Sequence, residues 1–333
     1  MEVPLPTIKD VAKDSGLGVG TISRYLNDKP VTAVNKRKIA LSIKKLGYER
    51  NELARGLKTS RTHVIGVLIP DLTDIFATML VQAIEQYAYE NGFNTITCDS
   101  RGDDNLEREK ISLLVRRDVD GLIVFPVNEK TTSEAYGHLN VPLIMINSSI
   151  SDSPFDSIRS DDFDAGKQAG QFFYNHGHKK VAVISQMCNR PGQLRAEGFF
   201  SVFGPSPDRS LLFDGDFEIE DGYRSMQEIM KMQDRPTGVF TTNYYTTIGV
   251  LRYCRENHLE FPRDMSFIGF DNIGAIPVLG PPLTIIEQPI IQIGRQAVHL
   301  LLQRIEHALV EGENPVEMLL KTRLLTADSV KNV

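Results

Sequence analysis

The sequence predicts two architectures on one chain: a small all-α piece of helix-turn-helix type, then a larger α/β body of two lobes with parallel sheets. Three observations lead there. Residues 1–50 carry three short helical patterns punctuated by glycine. After Arg61, apolar runs of strand length alternate with amphipathic helical stretches, and the alternation occurs twice over. Charge divides at the same place: residues 1–62 hold thirteen Lys/Arg against six Asp/Glu, and the remainder 24 against 37. A basic arm on an acidic body is the pattern of a piece that meets a polyanion.

The first helix is expected in "TIKDVAKDS", where Ile8, Val11 and Ala12 have helical spacing. Thr7 and Asp10 form a capping pair, with Asp in place of the usual Glu/Gln. Three glycines follow at alternate positions, Gly16, Gly18 and Gly20. A dinucleotide cradle needs a strand before such glycines and an acidic residue about twenty positions later. Neither condition is met convincingly, so the glycines are assigned to a turn between two helices, with Gly16 taking a positive φ. Residues 18–26 form the second helix. Val19, Ile22 and Leu26 are placed inward; Gly20, Thr21, Ser23, Arg24 and Asn27 are placed outward. The second helix of such a motif enters the major groove of DNA. A third helix is expected in "TAVNKRKIALSIKKLGY", with Val34, Ile39, Ile43 and Leu46 periodic and Gly47 as its C-terminal cap. Its charges are Lys and Arg, which suits phosphate contact.

In the body, "HVIGVLIPD", "FNTITCDS", "LIVFPV" and "VPLIMINSS" are expected strands. "ATMLVQAIEQYAYENG" and "LEREKISLLVRRDVDG" are expected helices between them. The theme repeats with the helix "FDAGKQAGQFFYNHGH" and the strands "KKVAVISQ", "RPTGVFTTN" and "DMSFIGFD". In open α/β sheets ligands sit beyond the carboxyl ends of strands. That rule selects Pro70-Asp71, Phe125-Pro126, Asn147, Gln186, Asn243 and Asp271.

The segments "TIKDVAKDSGLGVGTISRYLN" and "LGYERNELARGLKTSRTHVIGVLIPD" resemble the DNA-binding headpiece and hinge of the lactose-repressor/galactose-repressor family. "QLRAEGF", "VFTTN", "FIGFDNI" and "PPLTIIEQP" match landmarks of that family in the same order, from residue 7 to about 329. The resemblance implies a headpiece at 1–50 and a hinge helix at 51–60. The body it implies is periplasmic-binding-protein-like: one lobe of residues 61–160 with 290–320, another of 161–289 with 321–333. It also implies DNA-contact roles. Val19 and Gly20 take the two positions that vary with operator sequence. Arg24 is the best direct base reader, and Thr7, Thr21, Ser23 and Asn27 are further DNA contacts. In the hinge, Leu57 stands where the family inserts a wedge in the minor groove, with Ala54 and Arg55 along the groove.

For the body, the resemblance implies that Arg195 and Asp271 bind the effector, a sugar or sugar derivative, with Asn243 donating and accepting beside them. Two departures from the family stand out. Asp74-Ile75-Phe76-Ala77 occupies the place of Asn-Pro-Phe-Phe, and Tyr244 replaces a common aspartate. Phe76 and Tyr244 are candidates to stack on a sugar ring. The effector set is therefore Asp71, Phe76, Phe125, Asn147, Arg195, Asn243, Tyr244 and Asp271.

No run of about 18 apolar residues is present, so a membrane span is not expected. The N-terminus is charged where a signal peptide needs an apolar run, which implies a cytoplasmic protein. Cys98, Cys188 and Cys254 form no C-x-x-C pair, and His176-Gly177-His178 is assigned to a turn, so no metal is expected. Neither a nucleophile elbow, a P-loop nor a paired-carboxylate signature is found, and no cofactor or enzymatic activity is expected. The expected function is a DNA-binding repressor controlled by a small molecule. Its partners are double-stranded operator DNA and a second copy of the chain, a dimer because no heptad tail follows "LLTADSVKNV". A solute-binding protein without operator function is the alternative that the body alone allows.

Overall fold

The computed structural model describes residues 6–26, 29–48, 61–127, 136, 139–147, 154–204, 210–216, 218–278, 282–307 and 314–333. The chain divides into two compact units, Met1–Thr62 and His63–Val333. The expected hinge helix at 51–60 lies outside the described residues, as does Asn27.

The first unit holds α1 (Ile8–Ser15), α2 (Val19–Leu26) and α3 (Ala33–Leu46). The backbone N–H and the hydroxyl of Thr7 both donate to the Asp10 carboxylate, at 2.8 and 2.7 Å. Those bonds hold the Asp10 carboxyl below its ordinary pKa. Gly16 ends α1 at φ 68°, the left-handed conformation that lets the chain reverse into α2. Val11, Ala12, Ile22 and Ile39 form the buried core, with Leu17, Tyr25, Ile43 and Leu46 packed around it. Two apolar residues of these helical patterns, Val19 placed inward and Val34 counted as periodic, are outside. Val34 is 66% exposed and Val19 43% exposed. Val34 is five positions from Ile39, which sets them about 140° apart around a helix. Ser42 takes a buried place on that helix instead. Val19 is the first residue of α2, at the rim of a small core.

The second unit contains two six-stranded sheets. The first lobe is built from β1 (Val64–Ile69), α4 (Ile75–Glu90), β2 (Asn94–Asp99), α5 (Asp104–Arg116), β3 (Gly121–Val124), β4 (Leu143–Ile146) and β5 (Asp156–Ser160). The chain then passes to the second lobe: α6 (Asp162–Asn175), β6 (Val181–Ser185), α7 (Arg190–Phe200), β7 (Leu212–Asp214), α8 (Ile219–Lys231), β8 (Gly238–Thr241), α9 (Tyr244–Glu256), β9 (Ser266–Phe270) and β10 (Thr284–Glu287). It returns with α10 (Ile290–Glu306), which packs on α4 in the first lobe, and adds β11 (Glu317–Leu320) beside β5. A last pass places β12 (Arg323–Leu325) beside β10. The lobes are thus joined by three connections, at residues 161, 288–289 and 321–322.

Among the described residues the first sheet runs in the order β11-β5-β4-β3-β1-β2 and the second β12-β10-β9-β8-β6-β7, and all strand pairs are parallel except β10 with β12. The central strands read as apolar runs because helices cover both faces, and β1, β3, β4, β6, β8 and β9 are almost wholly buried. In the second lobe α6 and α7 lie backbone to backbone. A Cβ at Gly166 would fall 1.8 Å from the Arg195 carbonyl oxygen, and one at Gly198 would fall 1.9 Å from that of Phe163. Only glycine permits this approach, and it fixes α7 against the N-terminal end of α6.

Candidate functional site

The headpiece presents the outer side of α2. Gly20 and Arg24 are exposed, Val19 joins them, and Thr21 and Ser23 are half-buried. Exposed Thr7 lies at the start of α1 with its hydroxyl donating to Asp10. Val19 offers methyl groups and Gly20 only backbone, so among these residues Arg24 has the side chain best suited to a guanine edge. Two contacts brace the headpiece around α2. Ile22 anchors its underside, and Lys45 of α3 reaches Asp14 of α1 at 2.6 Å.

In the body, parallel strand order brings the carboxyl ends of β1, β3 and β4 to one edge of the first sheet. It likewise gathers the ends of β6, β8, β9 and β10 at one edge of the second. Four polar groups are linked in the second set. The Arg195 guanidinium, on α7, donates from Nε to Asp162 Oδ1 at 2.8 Å and from Nη1 to the Thr242 carbonyl at 2.7 Å. Its Nη2 donates to Gln288 Oε1 at 3.3 Å. Gln288 Nε2 in turn donates to Asp271 Oδ1 at 2.8 Å. Arg195 and Asp271 are therefore joined through Gln288. The guanidinium also lies over the Phe270 ring, 4.1 Å from its centroid.

These groups are buried, and their electrostatics follow. Burial pushes the Asp271 carboxyl up to about 6, against the opposing pull of Arg195 and the Gln288 hydrogen bond. Burial also raises Asp162 despite its bond to Arg195, and raises Asp74, the N-cap of α4. Each of these carboxylates is thus costly to hold ionised where it is buried.

The asparagines stand at equivalent points. Asn147 follows β4 and Asn243 follows β8. Asn243 caps α9, its Oδ1 accepting from the Thr246 N–H at 2.9 Å. Its Nδ2, together with Asn147 Oδ1 and Asp162 Oδ2, is buried without a hydrogen-bond partner among the described residues. Asn147 and Asp271 both adopt left-handed backbone, at φ 53° and 65°. Asn and Asp tolerate that conformation better than other side-chain-bearing residues.

The remaining candidates fall differently. Phe76 is 8% exposed and packs edge-on to half-buried Phe125, with ring centroids 6.3 Å apart. Both belong to the apolar interior of the first lobe, where Tyr244 also packs. Asp71 is exposed and folded into its own turn, accepting from the Thr73 N–H and hydroxyl at 2.7 and 2.8 Å. It is not drawn into the buried chain around Arg195. Asp162, Thr242 and Gln288 were not selected from the sequence, although Gln288 lies within the quoted landmark "PPLTIIEQP". Gln186 is buried and donates to the Asp216 carbonyl at 3.2 Å. His178 is engaged by the Thr237 hydroxyl and the Lys331 carbonyl. Among the described residues no group of three or more His, Cys, Asp or Glu is placed to hold a metal ion, and no helix is long and apolar enough to cross a membrane.

An exposed helix-turn-helix and a two-lobed α/β body with polar groups converging at its strand ends define a DNA-binding regulator that senses a small molecule. The profile described as "Bacterial regulatory proteins, lacI family" matches residues 7–51, and "Periplasmic binding protein-like domain" matches residues 171–330. The ribose operon repressor of Escherichia coli (strain K12) is 30% identical over 316 residues, covering 93% of this chain and 96% of that protein. The repressor PurR of Haemophilus influenzae (strain PittEE) is 30% identical over 338 residues, covering 99% and 100%. The chain belongs to the lacI family of bacterial regulatory proteins; it is a transcriptional regulator and not an enzyme.

Solved structures agree on the fold. The lac repressor dimer bound to operator and the anti-inducer ONPF superposes with a TM-score of 0.87 at 22% identity, covering 98% of this chain and 100% of that one. A lacI-family regulator from Enterococcus faecium with bound ribose gives 0.70 at 30% identity, covering 81% and 99%.

Proposed function

We propose that this chain is a dimeric repressor whose hold on operator DNA is set by a neutral sugar of monosaccharide size bound between the lobes. The observation that carries the sugar reading is the buried chain Arg195–Gln288–Asp271. A guanidinium donor and a carboxylate acceptor are held together at strand ends, and Asn147 Oδ1 and Asn243 Nδ2, also at strand ends, are buried with no hydrogen-bond partner among the described residues. Sugar hydroxyls both donate and accept, and this set offers partners of both kinds. Phe76, Phe125 and Tyr244 supply the apolar wall, and Asp71 stands at the rim. The names of the relatives support the reading: one is a ribose operon repressor, and one solved regulator at 30% identity holds ribose.

Val19, Gly20 and Arg24 meet the major groove, with Thr21, Ser23 and Asn27 on the DNA backbone and Thr7 a further DNA contact. Ala54, Arg55 and Leu57 of the 51–60 segment enter the minor groove. Two headpieces related by a two-fold axis call for a near-palindromic operator. The lobes comprise 61–160 with 290–320 and 161–289 with 321–333, and the protein works in the cytoplasm, where its DNA lies. The test joins two measurements on the full chain. DNA from the protein's own upstream region is retained at low salt and released as salt rises. A thermal-shift panel of pentoses, hexoses, sugar phosphates and nucleobases yields a hit that also changes DNA retention. Retention without any sugar hit overturns the sugar reading; a sugar hit that leaves retention unchanged overturns the control.

A further inference from the structure

The two lobes meet through the side chain of Tyr245, on the first turn of α9 in the second lobe. Its phenol oxygen accepts from the backbone N–H of Ile75 at 3.3 Å and donates to the backbone carbonyl of Thr73 at 3.4 Å, both in the first lobe. Ile75 is the first residue of α4. The first N–H groups of a helix have no partner within the helix and must be satisfied from elsewhere. Asp74 satisfies the next one, Phe76, at 2.9 Å. The Ile75 N–H is satisfied from the opposite lobe. A helix cap is thus shared across the cleft.

The neighbourhood reinforces the bridge. Tyr244 packs edge-on to Tyr245, with centroids 5.2 Å apart, and its hydroxyl accepts from the Ala275 N–H at 3.5 Å. Gly274 sits against both Ile75 and Tyr244: a Cβ there would lie 2.5 Å from Ile75 Cδ1 and 2.8 Å from the Tyr244 hydroxyl. The first turn of α4, the first turn of α9 and the loop after β9 therefore interlock at one place. Tyr245 is half-buried, and burial, then the nearby Asp74 carboxylate, raises its phenol pKa, so it stays a neutral donor and acceptor at working pH.

We propose that Tyr245 is the latch of the two lobes: its hydroxyl caps α4 across the cleft and holds the closed arrangement in which the effector is bound. Opening the lobes exchanges both bonds for water and frees the start of α4. The effector therefore has less closure to supply when the latch is present, and binds more tightly. The effector part of the test rests on the sugar reading above; the amide-exchange part does not.

The experiment compares the full chain with Tyr245→Phe and with Tyr223→Phe. Tyr223 loses the same atom far from the cleft, where its hydroxyl donates to Glu256 at 2.9 Å. Hydrogen exchange is followed by mass spectrometry on peptides spanning residues 72–80, without ligand. D-ribose affinity is measured by calorimetry. Loss of a hydrogen bond or two of modest net strength corresponds to about a three- to tenfold effect. Exchange in the 72–80 peptides should accelerate by that factor in Tyr245→Phe and remain unchanged in Tyr223→Phe, and the ribose Kd should rise by a similar factor in Tyr245→Phe alone. Unchanged exchange in Tyr245→Phe overturns the latch, whatever the ribose result. Accelerated exchange with an unchanged Kd overturns its role in effector binding. If the unaltered protein does not bind ribose, ribose is ruled out as the effector while the wider sugar reading rests on the thermal-shift panel, and the exchange result alone decides the latch.

Discussion

The buried carboxyl of Asp271 makes a sharp prediction about pH. Its pKa is pushed from an ordinary 3.8 to about 6, first by burial. That difference corresponds to roughly 3 kcal/mol between its ionised and neutral forms. A carboxyl raised on folding binds more protons in the native state than in the unfolded state between those two values. Its contribution is therefore fully present below about 4 and is lost as pH rises through about 6. Asp162 and Asp74 are raised as well and act in the same direction. The body should melt at a higher temperature at pH 5 than at pH 7.5. Asp271→Asn removes this group from the balance while its amide oxygen still accepts from Gln288. At pH 7.5 the variant should be more stable by up to about 3 kcal/mol, on the order of 5 °C in Tm for a body of this size.

Effector binding should respond in the opposite sense. In the proposed site a sugar hydroxyl donates best to an ionised Asp271, so Kd should be flat above about pH 6.5 and rise by up to about tenfold per pH unit below 6. Asp271→Asn should bind more weakly and show no inflection near pH 6. The assay is a set of thermal melts and calorimetric titrations from pH 5 to 8, at fixed ionic strength. Parallel Tm–pH curves for the two proteins would refute the reasoning, because they would mean that Asp271 does not titrate in this window.

Two packing predictions follow from the same structure. Ile22→Ala removes the central side chain of a four-residue core and should cost about 2–5 kcal/mol, enough to unfold a headpiece this small. Gel-retardation should show DNA binding lost while the body keeps its calorimetric effector response. Gly166→Ala drives a methyl into the Arg195 carbonyl, 1.8 Å from the ideal Cβ position. Separation of α6 from α7 should cost about 1–3 kcal/mol or more, read as a lower Tm, and should weaken effector binding by displacing Arg195 from Asp162.

Much of this molecule is legible in its sequence because its central strands are apolar runs between helices, and β1, β3, β4, β6, β8 and β9 all follow that pattern. The strands that were not read are short or polar. β5 is "DSIRS", and its Asp156 is buried only because Arg304 and the Val316 N–H meet it. That pairing spans about 150 positions, so no local pattern announces it. The same limit applied to the site. Arg195, Asn243 and Asp271 lie in motifs, and Asn147 and Phe125 end visible strands. Gln288 follows β10, a four-residue strand too short for a periodic pattern to mark, and Asp162 opens a helix, where an acid is ordinarily a solvated cap. Asp71 and Asp74 show the converse. The strand-end rule favours Asp71, yet the turn takes its carboxylate and leaves Asp74 half-buried at the start of α4.

Gln288 connects the site to the linkage between the lobes. It lies on the second of the three connections, and its Oε1 accepts from the hydroxyl of Ser160, at the edge of the first connection, at 2.9 Å. The same amide accepts from Arg195 and donates to Asp271. In the proposed site, an effector held by Arg195 and Asp271 therefore changes the demand on Gln288, which lies on a connection between the lobes. Ser160→Ala should test this directly. Both Arg195 and Asp271 keep their bonds to Gln288, so effector affinity should change by less than about threefold, the scale of one modest hydrogen bond. The tie between the two connections is lost, so the ratio of operator affinity with and without effector should move toward one. DNA titrations at saturating and zero effector would measure that ratio. A variant with unchanged affinity and an unchanged ratio would show that the Ser160 hydroxyl only satisfies a buried amide and that lobe rotation is communicated by another route.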